Sequence, residues 1–324
     1  MKPFTFSRAT DLRSAVPTEP NTTVIAGGTN LLDLMKKHIQ QPDALVDITA
    51  ALPTTIERDG KAGLRIGAMA RNTAVATHPL VTERYPLLAQ AILQGASPQI
   101  RNMASTGGNL MQRTRCPYFY DPALPCNKRA PGSGCGALRG HHRTAAVIGY
   151  SEACVAVHPS DMCVALVALD AQVEITDGNN VRMMPFAEFH RLPSEAPERD
   201  NNLPAGHLIQ AVRLPDNDFA DHSAYVKVRD RDSYAFALVS VAAALEIKRG
   251  KIKQARLASG GVAHKPWRWL AAEQFLRKQS PSVAVFERAA DLALADAQPL
   301  TDNAYKIPML RGSIITALKQ ASGI

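Results

Sequence analysis

Cysteine is missing from most of this chain. All five cysteines (Cys116, Cys126, Cys135, Cys154 and Cys163) fall in one segment, and no two make a Cys-x-x-Cys pair. Disulfide scaffolds are usually short and cysteine-dense, so a disulfide framework is disfavoured. Local clustering points instead to a metal or cluster site. Long hydrophobic runs are missing too. No stretch approaches the roughly 18 apolar residues that cross a bilayer, so no membrane span is expected. The start, Met1-Lys2-Pro3-Phe4-Thr5-Phe6, carries one early charge but no apolar h-region, so no secretory signal is expected. A G-x-G-x-x-G sequence is absent, which argues against the nicotinamide-type dinucleotide fingerprint. There is no internal repeat and no low-complexity tail. The formal charge is +8. Lys and Arg are spread along the chain without interleaved aromatics, so a solvated surface is the plain reading and nucleic acid a poor one.

What is present suits a packed protein. Of 324 residues, 46% are hydrophobic and 20% charged. The first fifty residues read as a β-α-β unit. Thr23 to Ala26 is a strand ending at Gly27-Gly28, Asn30 is placed to cap a helix through Leu31 to Met35, and Ala44 to Ile48 is a strand. Gly63 to Ala68 reads as a strand and Pro86 to Gln94 as a helix. Gly and Pro then crowd the stretch from Ser105 to Gly140. A helix follows from Ser160-Asp161, with strands at Gln172 to Thr176 and His207 to Leu214. The polar break Pro215-Asp216-Asn217-Asp218 is the expected domain boundary. Beyond it, strands are expected at Ser223 to Val228, Ser240 to Lys248 and Lys251 to Ser259. The last two face each other across Arg249-Gly250. Helical patterns near 267–277, 282–296 and 305–321 close the chain.

Two glycine pairs carry the functional signal. Ala26-Gly27-Gly28-Thr29-Asn30 lies between a strand and a helix, where glycine lets backbone N–H groups approach a diphosphate. A plain tight turn is the alternative. Ser105-Thr106-Gly107-Gly108-Asn109-Leu110 repeats the idea, and together the loops could clamp a dinucleotide from two sides.

Several segments match in order: Ala26 to Leu31; Gln99-Ile100-Arg101-Asn102 running on to Asn109; His158-Pro159-Ser160-Asp161 before Ala165 to Ala171; and Gly260 to Arg268. In these the chain resembles the FAD-binding subunit or domain of the xanthine dehydrogenase and carbon monoxide dehydrogenase family, over nearly its whole length. The resemblance implies an α+β protein with a two-part FAD-binding domain of the vanillyl-alcohol-oxidase type (1–215, divided into 1–56 and 57–215). A smaller α+β C-terminal domain of antiparallel sheet and helices follows at 220–324. It implies FAD held by Ala26, Gly27, Gly28, Thr29, Asn30, Leu31, Leu32, Ser105, Thr106, Gly107, Gly108 and Asn109, with Asp161 and, through a slightly shorter segment, Lys227 and Tyr234. For Lys227 the alternative is a solvent-facing strand charge. Tyr234 at the ring face could also restrict a nicotinamide acceptor.

Simpler members of that family lack about forty residues present here, roughly 113–156. The insertion holds Cys116, Cys126, Cys135 and Cys154. Zinc favours close Cys pairs, which are absent. Four irregularly spaced thiolates suit an iron–sulfur cluster better. Between Arg113 and Arg143, six Lys and Arg face only Asp121, and cations stabilise thiolates. Zinc, a disulfide pair and free thiols remain alternatives. The resemblance is nearest to periplasmic aldehyde oxidoreductases, whose flavin subunit carries a [4Fe–4S] cluster in such an insertion. Cys163 reads as a small buried hydrophobe.

The expected function follows from the resemblance. The chain would pass electrons through FAD to an external acceptor, within an oxidoreductase acting on aldehydes. A large chain would hold the molybdenum cofactor and a small chain two [2Fe–2S] clusters. No general acid, base or nucleophile is expected here. The alternative is a self-sufficient flavoenzyme of the same fold. Export to the periplasm by a signal-bearing partner is expected, with the cytoplasm as the alternative.

Overall fold

A computed structural model describes residues 1–60 and 63–324. The described residues form three sheets. In the first, β1 (Thr5–Arg8), β2 (Thr22–Ile25) and β3 (Ala44–Asp47) run parallel in the order β1-β3-β2. β2 is Thr-Thr-Val-Ile, a β-branched run that favours the pleated conformation. The crossover from β2 to β3 contains the helix Leu31–Lys36.

The second sheet contains β4 (Ile56–Asp59), β5 (Gly63–Gly67), β6 (Gln172–Thr176), β7 (Val181–Pro185) and β8 (Leu208–Leu214), in the order β4-β5-β8-β6-β7. All its pairings are antiparallel. The third sheet contains β9 (Ser223–Val228), β10 (Val239–Lys248), β11 (Lys251–Gly260) and β12 (Trp267–Arg268), ordered β12-β11-β10-β9. Arg249 and Gly250 have φ of 52° and 71°, the two positive values that a tight two-residue hairpin turn needs.

Strand β10 joins two separate cores. Its side chains alternate between two cores, as a period of two requires. Val239, Val241, Ala243 and Leu245 pack against the closing helices Val283–Leu294 and Lys306–Ser322. Ala242 and Ala244 face the other way, into the core that holds the helix Asp161–Ala168. Every residue of that helix is buried, so small alanines on β10 let it lie close to the sheet.

One local expectation fails. Asn30 makes no side-chain cap for the helix Leu31–Lys36. Its amide oxygen is instead taken by the Arg115 guanidinium, which arrives from far along the chain. A charge-assisted bond outcompetes a neutral cap.

The segment 113–156 is irregular, with two four-residue helices, Pro117–Tyr120 and Gly136–Arg139. Buried side chains pin it. Lys128 is 2% exposed and donates to Asp200 Oδ1 at 2.5 Å and to the Pro197 carbonyl at 2.7 Å. Arg113 reaches the other oxygen of Asp200 at 2.6 Å. From the closing helix, Lys306 donates to the carbonyls of Thr144, Ala145 and Gly261.

Candidate functional site

A cavity of about 950 Å³ is bounded by both glycine loops, the start of the helix Asp161–Ala168, and the end of β9 with the loop after it. The first loop is open. Among the described residues, the backbone N–H groups of Gly27, Gly28, Thr29 and Asn30 have no protein acceptor. Gly28 has φ +73°, the left-handed region that glycine enters without strain. Gly27 lies so close to the second segment that an added Cβ would sit 2.0 Å from the Met103 carbonyl oxygen.

The second loop is built differently. Thr106 and Gly107 donate their N–H groups to the carbonyls of Ala70 and Ala68, and Gly108 and Asn109 donate back to Ser105. This loop therefore offers a smooth wall and the Asn109 side chain rather than free N–H groups. Asn109 Oδ1 accepts from the Ser160 hydroxyl at 2.5 Å, which joins the loop to the helix cap. Thr106 is fully buried behind the wall, its hydroxyl spent on Ala70. Leu32 packs beneath Gly28, while Leu31 lines the cavity.

Asp161 is 7% exposed and accepts from Lys227 Nζ and from the Tyr225 hydroxyl, each at 2.8 Å. Lys227 also donates to the Gln94 carbonyl at 2.9 Å. It is a buried ion-pair partner on the cavity wall and not a solvent-facing strand charge. Burial and the neighbouring Asp161 charge hold the Tyr225 phenol well above its ordinary value. Tyr234 is 56% exposed at the cavity mouth with φ +51°.

Three cysteines of the insertion pack near one another, and Cys116 lines a smaller cavity that shares Arg115 and Asp161 with the first. Cys126 and Cys135 face each other across an isolated antiparallel bridge. Cys116 packs in one apolar cluster with Cys126 and in another with Cys135 and Val155. Burial raises the Cys116 thiol, and Cys126 and Cys135 push it further. Burial pushes Cys154 up to about 12, against the pull of Lys128. None of the four is in a disulfide.

Residues 1–217 match the family described as FAD binding domain in molybdopterin dehydrogenase. Residues 223–319 match the CO dehydrogenase flavoprotein C-terminal domain. The chain belongs to this molybdopterin-dehydrogenase flavoprotein family. It is 47% identical to the aldehyde oxidoreductase FAD-binding subunit PaoB of Escherichia coli K12, over 99% of both chains. It is 26% identical to the glyceraldehyde dehydrogenase medium chain of Sulfolobus acidocaldarius, over 84% of this chain and 80% of the relative. The carbon monoxide dehydrogenase of Hydrogenophaga pseudoflava shares the fold, with TM-score 0.77, 23% identity and coverage of 100% and 99%. Quinoline 2-oxidoreductase from Pseudomonas putida 86 does so with TM-score 0.75, 22% identity and coverage of 99% and 98%.

As a flavoprotein of this family, the chain has a cavity that fits its cofactor. The unpartnered N–H groups of the first loop match diphosphate oxygens, and the missing Cβ at Gly27 keeps the two glycine segments in contact. We expect Gly27→Ala to force the loops apart at a cost of about 1–3 kcal/mol. In FAD titrations followed by flavin fluorescence, that is roughly a five- to 150-fold weaker Kd. An unchanged Kd would show that the loop contact does not shape the site.

A second polar cluster lies deeper. Ligand atoms of His158, Cys163 and His190 lie within 4.8 Å of one another, all buried. Hydrogen bonding decides against a metal here. His190 donates through Nε2 to the Leu110 carbonyl and leaves Nδ1 as a free lone pair. His158 Nδ1 accepts from the Ser160 N–H, so the proton of the neutral ring sits on Nε2. Burial pushes the Cys163 thiol up to about 12. The cluster thus offers one ready lone pair where a bound ion would need several.

The sequence reading missed two residues of this site. Tyr225 is two positions before Lys227 on β9, so period two already places both on one face. Arg115 stood out only as one cation of the insertion. Nothing local signals that its partner is Asn30.

Proposed function

We propose that this chain is the FAD- and iron–sulfur-carrying electron-transfer subunit of a molybdenum-dependent aldehyde oxidoreductase. In this reading it takes electrons from partner chains holding the molybdenum cofactor and two [2Fe–2S] clusters, delivers them to an external acceptor, and reaches the periplasm with a signal-bearing partner. Cell fractionation with and without that partner tests the export. The substrate class rests on the likeness to PaoB along the whole chain.

The observation that carries the iron–sulfur part is charge. Lys128 and Arg113 share the single carboxylate of Asp200, which leaves buried positive charge, and Lys128 bears on Cys154. Four thiolates around an iron–sulfur cube bring the compensating negative charge. A disulfide would bring none.

Bound FAD supplies the ability to take up electrons singly and release them in pairs. The chain's own residues have other tasks. Gly27 to Asn30 present N–H groups to the diphosphate. Asn109 and Ser160 tie the second loop to the helix that presents Asp161. The Asp161–Lys227 pair holds β9 against that helix. Cys116, Cys126, Cys135 and Cys154 hold the cluster beside the cavity.

In anaerobically purified protein we expect bound FAD and about four irons with matching sulfide. Stoichiometric zinc without iron, or FAD with no metal, would remove the cluster and leave the flavoprotein reading intact.

A further inference from the structure

Arg115 belongs to the cysteine segment and to the FAD cavity at once. It immediately precedes Cys116 and lines the cavity. One guanidinium nitrogen donates to the Tyr120 hydroxyl at 2.9 Å, and the other donates to Asn30 Oδ1 in the first glycine loop. The Asp33 carboxylate is 3.6 Å away. The guanidinium centre lies 5.2 Å from the Phe236 ring centroid and 5.7 Å from that of Tyr120. Bonded to two separate acceptors and lying over two rings, this side chain has a set direction that a lysine could not copy.

The bond to Asn30 has a consequence for the loop. Among the described residues, no other side chain bonds to the loop from Ala26 to Asn30. Among the described residues the N–H groups of Gly27 to Asn30 have no protein acceptor, and the asparagine is held away from the helix-capping role. The loop's shape therefore leans on Arg115. The position of Arg115 leans in turn on a segment with little regular structure, next to a cysteine that packs with two others.

We propose that Arg115 is a positioning residue that makes tight FAD binding conditional on a filled cysteine segment. Metal–thiolate bonds at Cys116 fix the backbone that carries Arg115. Arg115 then holds Asn30, and the loop stays shaped for the diphosphate. The guanidinium also sets a positive charge beside a cofactor with two phosphate charges. The conditional part rests on the cluster reading above; the contact with Asn30 does not.

The test is an anaerobic FAD titration of the full chain, with iron counted on the same samples. Arg115→Gln should keep its iron and bind FAD about tenfold more weakly, the loss expected for one charge-assisted bond. Arg115→Lys should recover only part of that loss. Cys116→Ser should lose iron and weaken FAD by a similar factor. The double variant should be no weaker than Cys116→Ser alone. If Cys116→Ser does not fold, the parent protein stripped of iron by a chelator takes its place. Unchanged FAD affinity in Arg115→Gln overturns the positioning role. Loss of iron with unchanged FAD affinity overturns the coupling and leaves the cluster standing. A parent protein without iron overturns the cluster and the coupling with it, while Arg115→Gln still reports on the contact with Asn30.

Discussion

Replacing Asp161 by alanine should destabilise the chain by about 3–5 kcal/mol, the cost of stranding a buried charge. Lys227 has a side chain only 1% exposed, and its partners are Asp161 and the Gln94 carbonyl. Without the carboxylate, a buried ammonium would keep one neutral acceptor. The Tyr225 hydroxyl, which donates to Asp161, would lose its acceptor as well. The damage falls where β9 meets the helix Asp161–Ala168, at the cavity wall, so FAD affinity should fall with stability.

Urea denaturation of the FAD-free chain would read the loss directly. Asp161→Asn keeps the shape and an acceptor oxygen and should fall between parent and alanine variant. Combining Asp161→Asn with Lys227→Met removes both charges and should recover much of the stability, because a matched neutral pair carries no stranded ion. A loss within about 1 kcal/mol for Asp161→Ala, the range of an exposed pair, would show that the pair does not organise the wall.

Acid should destabilise the protein well before its carboxylates titrate. Burial lowers His190 and His264 to about 4, and it holds His158 well below its ordinary value. The Leu110 and Arg191 carbonyls pull His190 and His264 partly back, while Lys128 pushes His264 down. In the unfolded chain each ring titrates near 6.5. Between pH 6.5 and 4 the unfolded state therefore binds protons that the folded state refuses. The contribution of these rings to stability is complete above pH 7 and is lost as pH falls through that window. A ring shifted from 6.5 to 4 loses about 3 kcal/mol across it.

Denaturation midpoints measured from pH 7.5 down to 4.5 should fall steadily, and His264→Gln should flatten the slope. The Asp200 carboxyl is held below its ordinary value by Lys128 and Arg113 despite its burial. It gives way only at lower pH, so the two losses are separable. A flat profile from pH 7 to 5 would contradict neutral buried rings.

Local pattern was legible wherever one period or one turn governed a segment. The helix Pro86–Gln94 and the strands Gln172–Thr176 and Ser223–Val228 appear with the expected bounds, and the hairpin turns at Arg249-Gly250. The cap expected at Asn30 does not form. A cap is a local bond, and a cation more than eighty positions away took its acceptor. The two glycine loops looked alike in sequence. Folded, the N–H groups of one have no acceptor among the described residues and those of the other are spent on Ala68, Ala70 and Ser105.

By itself, then, the sequence determined the family, the order of most strands and helices, the glycine loops, and a basic cysteine-bearing insertion between the second loop and Asp161. These depend on residues that are neighbours along the chain, where spacing and side-chain type act directly. Only the tertiary structure decided that Lys227 is buried against Asp161, that Arg115 reaches Asn30, and that His158, Cys163 and His190 form a cluster of neutral rings and a thiol unsuited to a metal. Each of these depends on which buried donor meets which acceptor across long separations, and burial raises the energy of every unmatched pair.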